Sequence, residues 1–275
     1  MKFDNTQVMN FEGAFRGLRN PLESWNKSDS IHYFLTSEYS NGFIDEIVRE
    51  LIENDHPDID VYSHQYDELF EEYLYTVDEK SVINPFTDPE EHFWIGPNDM
   101  DLAHRMIKAG SSDRKFMRQI MVSVDITAPL YWWKEFDTYK VGTTANSTST
   151  MHKLASTPIT KECFEMDDVN ADMLIYEDST FSPPIYISEY WDMLINDLEY
   201  LRKKYNETKD KRYWKELIRL LPEAWLQTRT VTLNYEVLRN IYSQRKNHRL
   251  SEWHTFCSWI QLLPYSDDLI RYGLD

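Results

Sequence analysis

From Ile120 to Thr127 apolar and polar residues take turns. Ile120, Val122, Val124 and Ile126 alternate with Met121, Ser123, Asp125 and Thr127. Successive side chains of a strand point to opposite faces, so this segment predicts a strand with one apolar face, which Pro129 ends. Elsewhere the period is helical. Phe43–Asn54 spaces its apolar residues as a short amphipathic helix, and Asp99–Ala109 does so up to Gly110, a C-cap. Ile187–Tyr205 predicts a long helix, with Ser188 as N-cap and basic residues near its C-terminal end. Lys211–Leu221 predicts another, directly before Pro222. Pro57, Pro85, Pro89 and Pro97 break up a long acidic connection, and Pro158, Pro183 and Pro184 mark a looser region. Strands mostly early and helices mostly late indicate an α+β chain, read as one domain over 1–275 with an acidic insertion around 55–100.

Several classes are excluded. Seven glycines, with no GxGxxG and no GxxxxGK[ST], leave no glycine-rich phosphate loop. A formal net charge of −18 argues against general nucleic-acid binding, although a nucleotide pocket needs only a few focused cations. Much of the acidity lies in Glu46–Asp101, either as an ordinary solvated surface or as a face for a basic partner. No apolar run approaches the roughly 20 residues that cross a bilayer. The N-terminal MKFDNTQVMNFEGAF lacks the pattern of a signal peptide, which points to the cytoplasm. Cys163 and Cys257 suit a reducing compartment; each is a packing residue or, with less support, a catalytic thiol. His248 and His254 have no Cys or carboxylate cluster of metal spacing beside them, so no metal site is expected.

Two segments carry the candidate chemistry. Read as mostly helix, Ala224–Arg245 places Asn234 and Arg245 on one face roughly 16 Å apart, with Asn240 about 120° away. Polar groups on two sides of an otherwise apolar helix need partners on both. Backbone bonds and solvent would supply them, or a ligand on one side and a cofactor or second subunit on the other. Ala128–Ser149 runs from the strand end through a helix rich in aromatics (Tyr131, Trp132, Trp133, Phe136, Tyr139) into a Gly/Thr/Asn/Ser loop. Those rings read as core or as a stacking surface for a flat ring system.

Together the two segments resemble flavin-dependent thymidylate synthases. The family carries a Leu-Pro, an Asn twelve residues after that Pro, an Asn six further on and an Arg five beyond. Pro222, Asn234, Asn240 and Arg245 match without a gap. The resemblance implies that Asn234 and Asn240 contact FAD and that Arg245 contacts the pyrimidine base. Arg219, near the family's arginine before the Leu-Pro, is expected at the nucleotide phosphate. The family's second motif is Arg-His-Arg followed by Asn-Glu-x-x-Ser. Here Lys134-Glu135 stands for an Arg-Gln pair, Thr138-Tyr139-Lys140 for Arg-His-Arg, and Asn146 to Ser149 for the remainder, while Met151-His152 replaces Arg-Tyr. Tyr139, Lys140 and Asn146 are thereby assigned to the cofactor, and Glu135 and Ser149 to the nucleotide. Arginine grips phosphate through a planar fork, so losing those arginines removes charge pairing that Lys134 or His152 would have to replace.

The fold implied is a central, mainly antiparallel sheet flanked by helices. The activity implied is transfer of a one-carbon unit from methylene-tetrahydrofolate to C5 of a pyrimidine deoxynucleotide, dUMP by family. FAD is the cofactor, NADPH the reductant, and the assembly a homotetramer. No residue is assigned as catalytic. A related modification of another pyrimidine nucleotide, and a non-catalytic nucleotide-binding or interaction module, are the alternatives.

Overall fold

The structure is a computed structural model describing residues 1–34, 40–60, 63–80, 82–83, 91–176 and 184–274. Pro85, Pro89 and Pro183 lie outside the described residues. In chain order the elements begin with β1 (Lys2–Met9), α1 (Phe11–Arg19), β2 (Ile31–Phe34), α2 (Ser40–Asp55), α3 (His64–Lys80), β3 (Val82–Ile83), β4 (Glu91–Trp94) and α4 (Pro97–Ala109). Next come β5 (Met121–Pro129), α5 (Leu130–Phe136), β6 (Thr144–Ser147), α6 (Thr150–Lys153), β7 (Leu174–Tyr176) and β8 (Ile185–Tyr186). The last are α7 (Ile187–Thr208), α8 (Lys211–Leu220), β9 (Leu226–Asn234), α9 (Tyr235–Arg245) and α10 (Ser251–Gln261).

The central antiparallel sheet has the order β1-β5-β9-β6. β5 is the alternating strand anticipated from the sequence: Val122, Val124, Ile126 and Ala128 are buried while the residues between them are half-exposed. Its polar side pairs with β9 through Thr127–Thr228 at 2.7 Å and Asp125–Thr230 at 2.5 Å, an antiparallel register.

The chain divides into two compact units. The first comprises Met1–Asp4, Val124–Lys140 and Thr144–Val231. Its core gathers Leu154, Ile159, Phe164, Ile195, Leu198 and Leu217 between α7, α8 and the loops around them. The second comprises Asn5–Ser123, Val141–Thr143 and Thr232–Asp275. There α1 buries Phe11, Ala14, Phe15 and Leu18, the 3.6-residue stripe of an amphipathic helix. A three-stranded sheet of order β2-β4-β3 lies in the same unit.

Three readings need correction. The segment read as one helix from Ala224 is strand β9 up to Asn234 and only then helix α9. The β-branched Thr228, Thr230, Val231 and Thr232 pair with β5 better than they would pack as helix. The acidic connection contains the 17-residue helix α3, whose Tyr66, Leu69, Phe70 and Tyr73 pack against Val48 and Ile52 of α2. Burial of that apolar stripe outweighs the charge of the opposite face. Finally, α7 is capped at Tyr186 rather than Ser188: the Glu189 carboxylate accepts the Tyr186 backbone N–H at 3.0 Å.

Candidate functional site

In the first unit, β5 delivers α5 at Pro129, and the backbone N–H groups of Leu130 and Tyr131 donate to the Trp225 and Glu223 carbonyls. Trp132, Trp133 and Phe136 are buried, so these three rings are core. The Trp133 indole N–H donates to the Gln227 carbonyl at 2.9 Å. Above that ring, at 4.2 Å, lies the guanidinium of Arg229, which also holds Gln227 Oε1 at 3.0 Å and Asp137 at 2.7 Å. No local sequence motif marks Arg229. Only knowing that its segment is a strand places Gln227 and Arg229 on the side facing α5.

Beyond Asp137 the chain turns tightly. The hydroxyl of Thr138 donates to the Glu135 carbonyl at 2.7 Å, and the Tyr139 ring rests 6.4 Å from that of Phe136. Glu135 and Tyr139 are half-buried, while Lys140 and Asn146 are exposed. Lys134 pairs with Glu223 at 2.5 Å, and Arg219 pairs with Glu216 at 2.5 Å on the exposed end of α8. Neither of these cations is turned to the cavity of this unit.

That cavity has a volume of about 510 Å³, within the range of small-molecule sites. Thr127, Thr148, Ser149, Thr150 and Lys153 line it. Of the residues expected to bind a ligand in this unit, Ser149 is the one in the lining; Glu135, Tyr139, Lys140, Asn146 and Arg219 are not. Lys153 was not anticipated, although its spacing four residues after Ser149 puts the two on one side of a helical turn, with the Lys153 N–H donating to the Ser149 carbonyl at 3.0 Å. Glu165 and Trp225 also line the cavity, brought together by the isolated bridge between Phe164 and Trp225. That pairing has no local sequence signal.

In the second unit, Asn234 ends β9 and caps α9. Its Oδ1 accepts the Val237 N–H at 3.1 Å, and its side chain is nearly buried. Asn234 and Arg245 therefore do not share a helix face, since Asn234 precedes the helix. Gly142, at φ +76°, presses on this cap: a Cβ there would lie 3.0 Å from Asn234 Nδ2 and 3.2 Å from Val237 Cγ2. Asn240 is exposed and accepts from Gln244 at 2.9 Å. The Arg245 guanidinium stacks 4.6 Å over Trp253. Arg239 is buried and donates to the Ile270 and Tyr272 carbonyls at 2.9 and 2.8 Å, and burial lowers its pKa from the usual value. It anchors the C-terminal segment rather than a ligand.

Both cysteines are free thiols. Burial pushes the Cys257 thiol up to about 11, so its nucleophilic thiolate is scarce at neutral pH. No helix among the described residues is long and apolar enough to cross a membrane.

For a flavin dinucleotide the fit is divided. Asn234 spends Oδ1 on the cap and keeps Nδ2, beside Gly142, as a donor suited to a flavin carbonyl or ring nitrogen. A pyrophosphate wants fixed cations, and of Thr138, Tyr139 and Lys140 only the exposed lysine is charged. The donor set suits the ring system better than the phosphates.

No family model matches the chain, and no curated protein matches it by sequence. Among solved structures it is similar to thymidylate synthase X from Helicobacter pylori, solved with FAD and dUMP. That likeness has a TM-score of 0.56 at 13% identity and covers 100% of this chain and 99% of the other, which establishes the fold. The UMP/dUMP methylase PolB from Streptomyces cacaoi, bound with 5-Br UMP, also matches, at 12% identity over 64% of this chain and 84% of that one. The TM-score of that match is 0.43.

Proposed function

We propose that this protein is an enzyme modifying C5 of a pyrimidine deoxynucleotide on the fold of the flavin-dependent thymidylate synthases. The observation that carries this reading is the position of Ser149. It lines a cavity with Thr148, Thr150 and Lys153, in a chain whose fold matches end to end a protein solved with FAD and dUMP. Hydroxyls and one lysine from a single turn are a phosphate-binding set, and Lys153 supplies charge that the missing arginines do not.

On this reading Ser149 and Lys153 of the first unit hold the nucleotide phosphate; in the second unit, taken by itself, Asn234 Nδ2 and Asn240 keep their assignment to a flavin and Arg245 its assignment to a pyrimidine base from the resemblance. Glu135, Arg219, Tyr139, Lys140 and Asn146 keep their assignments from the resemblance as surrounding groups. A flavin, when bound, supplies hydride, with methylene-tetrahydrofolate as carbon donor and NADPH as reductant. The chain itself binds and orients; it holds the pyrimidine ring against bulk water and needs no cysteine nucleophile. A homotetramer and the cytoplasm complete the proposal.

A flavin-uptake experiment tests it. Purified protein incubated with FAD and desalted should retain flavin absorbance, and dUMP or a related nucleotide should perturb that spectrum. Protein that is folded and colourless after such loading would sink the enzymatic reading. A non-catalytic nucleotide-binding module would then be favoured, as the exposure of Lys140 and the Lys134–Glu223 pairing already suggest a weakened phosphate grip.

A further inference from the structure

Carboxylates are prominent in the lining of the first unit's cavity. Asp4, Glu162, Glu165 and Asp167 outnumber Lys2 and Lys153 there. Asp167 stands 3.7 Å from the N-terminal amine, which offsets one of them. Three of the hydroxyls and Lys153 come from the segment 148–153, and three of the carboxylates from the segment 162–167. Such a lining accepts hydrogen bonds from a ligand as readily as it donates them.

Glu165 is the best-positioned of the acids. Its carboxylate accepts the Asp167 N–H at 2.9 Å and the Tyr131 hydroxyl at 3.4 Å. Its own N–H donates to the Ala224 carbonyl at 2.8 Å, which fixes it beside Trp225. Phe164 and Trp225 meet edge to face at 5.5 Å, and both line the cavity. A held carboxylate next to an aromatic wall is suited to a flat ring that bears an amino group.

We infer that this cavity selects an amino-bearing pyrimidine, of the cytosine type, over uracil. The inference rests on the reading of the cavity as the nucleotide pocket. Uracil offers a carboxylate one ring N–H flanked by two carbonyl oxygens, both of which the carboxylate repels. Cytosine offers an exocyclic amino group, the donor that Asp and Glu accept when they read this base. Ser149 and Lys153 then hold the phosphate, and Glu165 accepts from the amino group. Glu162, which accepts from the Thr160 hydroxyl, adds to the negative potential that favours it.

Calorimetric titration of the full chain with dCMP and with dUMP tests this without flavin or turnover. The expected result is dCMP binding at least tenfold tighter than dUMP. Glu165→Gln should erase or invert that ratio, because its amide donates to the uracil carbonyl. Lys153→Met should weaken both nucleotides and leave the ratio unchanged. Tyr131→Phe, which removes one of the hydrogen bonds to the Glu165 carboxylate, should lower the ratio in part and guards against a folding defect in the Gln variant. Binding of dUMP as tight as dCMP, or a ratio untouched in Glu165→Gln, overturns the inference and leaves the proposed function standing. Binding of neither nucleotide overturns both.

Discussion

Gly142 sits against the side chain of Asn234 so closely that a Cβ on the glycine would lie 3.0 Å from Asn234 Nδ2. The loop that follows Thr138-Tyr139-Lys140 and the cap of α9 are thus one structural feature, although 92 positions separate Gly142 from Asn234 in the chain (234 − 142 = 92). Gly142→Ala should cost roughly 1–2 kcal/mol, because φ is +76° and Val237 is also in the way. Urea unfolding measures this. An unchanged midpoint would mean that the loop is not held against the cap.

Asn234 has a structural task and a proposed ligand task, and two substitutions separate them. Asn234→Ala removes the cap from the Val237 N–H and should cost about 1 kcal/mol. Asn234→Ser keeps a capping oxygen but deletes Nδ2, so stability should hold while flavin affinity falls. Equal flavin affinity in wild type and Asn234→Ser would remove Asn234 from the cofactor site.

A buried ion pair fixes α1 to α4. Arg19 Nε meets Asp99 Oδ1 at 2.6 Å, and the Ser28 and Ser30 hydroxyls both donate to Asp99 Oδ2 at 2.6 Å. Asp99 is fully buried, so Asp99→Ala leaves an uncompensated cation and orphaned hydroxyls. A loss of about 3–5 kcal/mol is expected in chemical denaturation. A loss under about 1 kcal/mol would contradict the pairing.

Glu199 gives a pH signature. Its hydrogen bonds to Arg202, both 2.7 Å, hold its carboxyl down from the ordinary 4.5 to about 2, against opposition from burial. A depressed acid stabilises the fold fully above its unfolded pKa. That contribution, at most about 3 kcal/mol, is lost as pH falls from about 4.5 towards 2. Unfolding free energies between pH 6 and pH 3 should converge for wild type and Glu199→Gln on acidification. Parallel curves would count against the assignment.

Much of this architecture is legible in the sequence where the pattern is local. The alternation in β5 and the helical spacing of α2, α4, α7 and α8 survive intact. β9 was misread because Val231, Leu233, Val237, Leu238 and Ile241 together mimic a helical stripe across a strand-to-helix junction. The helix of the acidic region was hidden by its charge, since its apolar residues matter only once α2 covers them. Arg229 over Trp133, and Glu165 beside Trp225, depend on pairing between segments more than 50 residues apart, which no local window contains.

The most direct test of the central claim is mass spectrometry of a pyrimidine deoxynucleotide incubated with the FAD-loaded protein, methylene-tetrahydrofolate and NADPH. The account predicts a product heavier by a one-carbon unit, lost in Ser149→Ala combined with Lys153→Met. Nucleotides recovered unchanged from folded, flavin-loaded protein, with dUMP and dCMP both offered, would contradict it.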